Sequence, residues 1–147
     1  MNKCIKLGII GKSEGNRHPY SWAAICNGYN REEMMKNEYP MIFEYLEKQN
    51  FPEDALNNAT VSHIWTQDKI LSQKIARASN ITYVTDSIDK LIESIDAVLL
   101  ARDDAENHFQ HARLVLENNI PIYIDKPLAL TREDALKLLD KERYKGQ

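Results

Sequence analysis

"CIKLGIIGKSEGNRHPYSWAAICNGY", residues 4–29, is the stretch whose reading decides the fold. "CIKLGII" (4–10) is a dense apolar run bounded by glycine, the pattern of a strand buried on both faces. A polar loop, "GKSEGNRH", follows at once. "PYSWAAICNGY" then places Pro19 where the first turn of a helix accepts it and Gly28 where a helix ends.

The same alternation continues outward. "MIFEYLEKQN" (41–50) is an amphipathic helical segment, and "ATVSHIWT" (59–66) is a β-branched and aromatic strand. "KILSQKIARAS" (69–79) repeats apolar residues at Ile70, Leu71, Ile75 and Ala78 and reads as a helix. "ITYVT" (81–85) is a strand, "SIDKLIESI" (87–95) a helix, and "DAVLLA" (96–101) a continuous apolar strand. "ENHFQHARLVLENN" (106–119) is a helix with Phe109, Ala112, Val115 and Leu116 on one side, and "IPIYI" (120–124) is the fifth strand. "TREDALKLLDKERY" (131–144) begins with Thr131 and Asp134 in N-cap and N3 positions. Five strands alternating with helices predict an α/β, doubly wound, mostly parallel, Rossmann-like sheet of about five strands with helices on both faces.

At 147 residues the chain fits one domain, 1–147, able to bury a real core. A net charge of −3 offers no basic patch, so no nucleic-acid partner is expected. No apolar run approaches the ~20 residues of a membrane span, and "MNKCIKLGIIG" does not read as a signal peptide. Cys4 and Cys26 make neither a disulfide framework nor a metal cluster. They read as two reduced core thiols, and a cytoplasmic location is expected.

Ligands in such folds bind in the crevice beyond the carboxyl ends of the strands. After the first strand, Gly11 fits the turn glycine of a dinucleotide fingerprint. Ser13 stands in place of the second glycine and Asn16 in place of the third, with Gly15 one position early. A glycine that merely turns the chain explains Gly11 equally well. The loop runs straight into a helix whose free N–H groups suit a phosphate, and Ser13, Asn16 and His18 add donors.

After the second strand, Thr66-Gln67-Asp68 lies where an acid usually takes a ribose 2′-hydroxyl. Asp68 is 57 residues beyond Gly11 (68 − 11), against the roughly 20 that are usual, and an insertion over about 29–58 accounts for the excess. Asp68 reads equally as a helix N-cap, with Thr66 standing where the acid normally sits. "ARDDAENHFQH" ends the fourth strand with Arg102, Asp103, Asp104, His108 and His111. The histidines share a helix face but lack a third ligand at a recognisable spacing, so no metal site is expected. The stretch is a polar helix start capped by Asp103 or Asp104, or a loop that closes over a cofactor ring.

"IPIYIDKPLA" (120–129) delivers Asp125 and Lys126 at the end of an apolar strand and fixes the next turn with Pro127. A strand-end lysine in a cleft can donate a hydrogen bond, stabilise a developing alkoxide or shuttle a proton. The alternative is a surface lysine paired with Asp125.

Taken together, "KLGIIG", "RHPYSW", "IDAVLLARDDAENH" and "IPIYIDKPLA" resemble the nucleotide-binding half of the glucose-fructose oxidoreductase/inositol dehydrogenase/rhizopine-catabolism oxidoreductase (Gfo/Idh/MocA) family, from about residue 4 to 130. The D/E-K-P motif is its most specific part. The resemblance implies NAD or NADP as cofactor, with Gly11, Ser13 and Gly15 against the phosphates and Thr66, Gln67 and Asp68 facing the adenosine ribose. It implies that Ala101, Arg102, Asp103 and His108 pack along the cofactor, and that Asp125, Lys126 and Pro127 lie near the nicotinamide, with Lys126 assisting proton transfer. The implied reaction is hydride transfer between the cofactor and a hydroxyl carbon of a sugar or cyclitol.

Relative to that family the chain reads as incomplete, without the second, substrate-binding domain, so the isolated chain is expected to be weakly active or inactive. A non-catalytic nucleotide-binding or interaction module, or a truncated fragment, are the competing readings. Ending the sheet at "IPIYI" leaves an apolar edge, and exposed apolar edges invite pairing. Self-association or a separate substrate-domain chain is therefore expected, and light scattering that finds a monomer at high concentration would count against it.

Overall fold

The computed structural model describes residues 4–147. Strands β1 (Ile5–Ile10), β2 (Ala59–Trp65), β3 (Tyr83–Val84), β4 (Ala97–Leu100) and β5 (Ile122–Ile124) form a sheet in the order β3-β2-β1-β4-β5. Every neighbouring pair is parallel. Parallel neighbours need crossover connections, and here helices supply them. The helices are α1 (His18–Asn27), α2 (Arg31–Met35), α3 (Pro40–Leu46), α4 (Lys69–Ala78), α5 (Ile88–Ile92), α6 (His108–Glu117) and α7 (Arg132–Leu139). A 3-10 turn, Ala105–Asn107, leads into α6.

The sheet divides the core in two. Ile9 and Leu99 face one layer, with Val61, Ile64, Ala23, Met34, Leu46 and Ile75 from β2, α1, α2, α3 and α4. Ile10, Val98 and Leu100 face the other, with Leu91, Ala112, Val115, Leu116 and Leu138 from α5, α6 and α7. Adjacent residues of β1 and β4 therefore serve opposite cores, as the two-residue period of a strand requires. The doubly wound α/β reading of the sequence is the architecture observed.

Several local expectations need correction. The first strand is buried on both faces only in its second half, and Ile5 and Lys6 at its start are exposed. Cys26 is buried but Cys4 is exposed, so only one thiol belongs to the core. Ile70 is 64% exposed on the outer side of α4, whereas Ile75 and Ala78 are buried. The stretch read as an insertion over about 29–58 carries α2 as well as the helix expected at 41–50, which is α3 and ends at Leu46.

The caps are those the sequence encodes. Asp68 accepts from the backbone N–H groups of Ile70 and Leu71, and Thr131 accepts from that of Asp134. Gly28 closes α1 at φ +72°. At the other end of that helix, a Cβ on Gly11 would stand 2.6 Å from Pro19 Cγ, so the glycine allows α1 to start against the end of β1. Because the proline ring cannot swing away, Gly11→Ala is expected to cost about 1–3 kcal/mol, measured as a lower urea midpoint at unchanged m-value. An unchanged midpoint would mean that the α1 start yields at no cost.

Candidate functional site

β1 lies between β2 and β4, and the chain leaves it in one direction and returns on its other side. That switch opens a crevice at the carboxyl ends of β1 and β4, the position at which open α/β sheets bind ligands. Its walls are the loop Gly11–Arg17 and the segment Ala101–Asp104. The Ala101 N–H donates to Ile10 O at 2.8 Å and holds these walls in register.

The glycine loop is fixed from beneath. Gln67, just after β2, accepts the Lys12 N–H at 3.1 Å and donates to Lys12 O at 2.6 Å. Arg102, 7% exposed, donates from Nη1 to Lys12 O and Gln67 Oε1 at 3.3 and 3.2 Å. Its Nε and Nη2 donate to the Asp104 carboxylate at 2.8 and 2.5 Å. Lys12 is buried, with its ammonium on the Tyr39 hydroxyl and 3.5 Å from Glu38.

The crevice is bridged at its mouth. Ser13 Oγ donates to the Asp103 carboxylate at 2.5 Å and accepts the Asp103 N–H at 3.1 Å. Burial works to raise the Asp103 carboxyl. The Ser13 hydrogen bond, the nearby Asn16 amide, its own backbone N–H and the Lys126 charge outweigh burial and hold it below the usual range. Asp104 is held low likewise, against its burial, by Arg102 and Asn107. Asp104 is the N-cap residue of the following turn, as one sequence reading had it, but its carboxylate makes no cap hydrogen bond to the backbone because Arg102 takes it, and Asp103 is taken by Ser13.

Asp125 is 2% exposed at the end of β5. One oxygen accepts the Lys126 N–H at 2.8 Å, and the other meets His18 Nδ1. The pairing of Asp125 with the Lys126 side chain, the surface alternative, is not what forms: the partner is His18, and Lys126 is exposed. The peptide bond between Lys126 and Pro127 is cis. His18 was expected among the phosphate donors, and its contact with Asp125, 107 residues away, has no local signal in the sequence.

The remaining candidates occupy distinct environments. Thr66 is buried, and its hydroxyl bonds Asp68 O and Ser72 Oγ at 2.7 and 2.9 Å. Asp68 is exposed and caps α4. His108 is fully buried between the carbonyls of Arg102 and Leu128, each at 3.0 Å, and links the β4 and β5 ends. Among the described residues, no group of three His, Cys, Asp or Glu is arranged to hold a metal ion.

The loop fits a dinucleotide phosphate in three respects. Asn16 Nδ2 is buried without a partner at ordinary hydrogen-bond geometry, even though the amide lies near Asp103. The backbone N–H groups of Ser13, Glu14, Gly15 and Arg17 make no hydrogen bond among the described residues. Gly15, at φ +71°, has open space where a Cβ would project. Free donors ahead of a helix N-terminus suit an anion.

A family model described as an oxidoreductase family with an NAD-binding Rossmann fold, Gfo/Idh/MocA, matches residues 38–147. The chain belongs to this family. The description names an NAD-binding Rossmann fold, in keeping with the strand order observed. Among curated proteins none matches the chain.

Solved structures share the fold at low identity. A scyllo-inositol dehydrogenase from Lactobacillus casei aligns at TM-score 0.63 and 15% identity, covering 95% of this chain and 33% of that one. A dehydrogenase from Clostridium difficile aligns at 0.62 and 22%, covering 95% and 36%. A UDP-N-acetylglucosamine 3-dehydrogenase from Acidithiobacillus ferrooxidans aligns at 0.58 and 17%, covering 94% and 34%. The chain thus spans about a third of the length of these structures.

The Arg102 network generates a stability prediction. Arg102→Ala leaves Asp104 and the Lys12 carbonyl without their cation, at an expected cost of about 3 kcal/mol at neutral pH. Because Asp103 and Asp104 are depressed when folded, their contribution is complete above the ordinary aspartate value of ~3.9 and is lost as pH falls through the folded values. Urea midpoints measured against pH should fall on the acid side in the wild type and fall less steeply in Arg102→Ala. Parallel acid limbs would show that Arg102 does not hold Asp104 ionised.

Proposed function

We propose that this chain is the cofactor-binding part of a dehydrogenase that acts on a hydroxyl carbon of a sugar- or cyclitol-like compound, with its substrate-binding part elsewhere. The observation that carries this reading is the end of β5. A buried carboxylate anchors the turn at Asp125, while the next residue, Lys126, is exposed and close enough to the crevice for its charge to act on Asp103.

The backbone N–H groups of Ser13, Glu14 and Gly15 and the Asn16 amide would hold the pyrophosphate, and Asp103 would accept from a ribose hydroxyl. The Lys126 ammonium would donate to the substrate oxygen, where negative charge develops as the hydroxyl loses its proton. The bound nicotinamide supplies the two-electron acceptor. Asp68, an exposed carboxylate at the end of β2, supports NAD over NADP, because a 2′-phosphate there would meet like charge.

One observation favours the second reading, a module that binds nucleotide without turnover. The Ser13–Asp103 bridge places an ionised carboxylate against the glycine loop, where a phosphate must approach. Titration of the 147-residue chain separates the two. NAD(H) at 100 times its Kd should stabilise by about 2.7 kcal/mol, a Tm rise of roughly 5–10 °C for a domain of this size. NADP(H) should give less, and no response to either would overturn the cofactor assignment. In the chain supplied with its substrate-binding part, Lys126→Ala should abolish turnover and leave NAD(H) affinity within about threefold. A variant as active as the wild type would remove Lys126 from the chemistry.

A further inference from the structure

A cavity of about 190 Å³ lies between α1, α2 and α4, lined by Tyr20, Glu33, Lys36, Asn37, Lys74 and Arg77. It shares no residue with the glycine loop, with Ala101–Asp104 or with the end of β5. One of its walls, α2, lies in the stretch that reads in the sequence as an insertion, and Tyr20, Glu33, Lys36 and Asn37 all precede the residues matched by the family model. Three cations face one carboxylate there, in a chain whose net charge is −3.

The donors of this cavity are held in place and left free. Lys74 and Arg77 are three residues apart on α4 and so share a face. Glu33 accepts from Lys36 Nζ at 2.6 Å and from Arg77 Nε at 3.3 Å, which ties both cations to one point. The terminal nitrogens of Arg77 and the Lys74 ammonium make no hydrogen bond among the described residues. Tyr20 supplies the inner group. It is 4% exposed, with its ring edge-on to Tyr39 at 6.1 Å, yet its hydroxyl has no hydrogen-bond partner among the described residues. Such a hydroxyl is costly to bury unless something satisfies it. Burial, with Glu38 and Tyr39 adding to it, pushes the phenol up to about 12, so the hydroxyl keeps its proton and can donate. Arg77 acts on it in the opposite sense, which puts the guanidinium within electrostatic reach of the same oxygen.

We propose that this cavity binds a phosphate group, held by Arg77, Lys74 and the Tyr20 hydroxyl, with Lys36 at its rim. A guanidinium fork, an ammonium and a hydroxyl converge on it from two helices. A tetrahedral phosphate presents acceptor oxygens in several directions and can meet all three at once. A planar carboxylate, with two oxygens, leaves one of them unused. Glu33 is no obstacle, because its charge is already shared between Lys36 and Arg77. The cavity has room for a phosphate and a few attached carbon atoms, so the ligand is inorganic phosphate or a small phosphomonoester. This site stands apart from the crevice proposed for the dinucleotide and does not depend on that assignment.

The test needs no cofactor, so it fails independently of the NAD(H) titration. The ¹⁵N-labelled 147-residue chain is titrated with inorganic phosphate at pH 8 and followed by amide NMR, with chloride at equal ionic strength as the control for screening. The amides around Tyr20, Asn37, Lys74 and Arg77 should shift saturably with phosphate and not with chloride. Arg77→Gln and Lys74→Gln, both on the exposed side of α4, should each weaken that binding about tenfold or more, the usual worth of a charged hydrogen bond. Tyr20→Phe, which keeps the ring against Tyr39, should weaken it by a smaller factor. Glucose 6-phosphate in a second titration separates the sources: tighter binding than inorganic phosphate assigns a phosphomonoester, and equal or weaker binding assigns free phosphate. Shifts confined to the glycine loop, the same shifts with chloride, or an affinity unchanged in both α4 variants would overturn the proposal.

Discussion

β1 has a strand on each side and a helical layer on each face, and the rest of the molecule is arranged around meeting that constraint. Ile9 and Ile10 are wholly excluded from water on opposite faces. A residue at Gly8 is pressed by Leu91, which would lie 2.5 Å from any Cβ placed there. With its backbone paired on both sides, β1 can present functional groups only beyond its end. Gly11 and the loop that follows are where the chain first becomes free to meet a ligand.

What makes that loop a site is the number of cross-connections that hold it. Gln67 grips Lys12 from β2, Ser13 and Asp103 join the β1 and β4 ends, and His18 and Asp125 join α1 to β5. His108 links the segment after β4 to that after β5 through two carbonyls. Polar groups of this kind are stabilising when satisfied and costly when orphaned, so the network defines one arrangement of the loops. One exception stands out against it. Asn16 Nδ2 is a buried polar atom with no partner at ordinary hydrogen-bond geometry among the described residues, beside Asp103 in the loop proposed to bind ligand.

The segment between α1 and β2 is part of this architecture. Tyr39 lies over the Lys12 ammonium, whose nitrogen is 4.8 Å from the ring centroid, and Glu38 adds an acid beside it. Tyr29 and Arg31 both bond Glu47, which closes the segment on itself. Met41, Ile42 and Tyr45 of α3 then form one wall of a groove against His18. Residues that read in the sequence as excess length between a glycine loop and the second strand thus shape the approach to it.

The order of elements, the caps at Asp68 and Thr131, the glycine at the end of α1 and the family to which the chain belongs were all legible in its residues. Each depends on neighbours along the chain: apolar periodicity, a hydroxyl or carboxyl three residues ahead of an N–H, or a motif such as Asp125-Lys126-Pro127 at a strand end. The tertiary structure alone decided which polar side chains meet. Arg102 was legible as a polar residue after a strand, but its use in binding Gln67 and Asp104 was not. Thr66 stood where a ribose partner was expected, and folding turned its hydroxyl inward to Ser72. Asp125 looked like the natural partner of Lys126, yet the strand end buries it and brings His18 to it from 107 residues away. The reason is physical: local conformation follows from short-range sterics and hydrogen bonding, whereas the partner of a buried charge is set by which strand ends the sheet order places side by side.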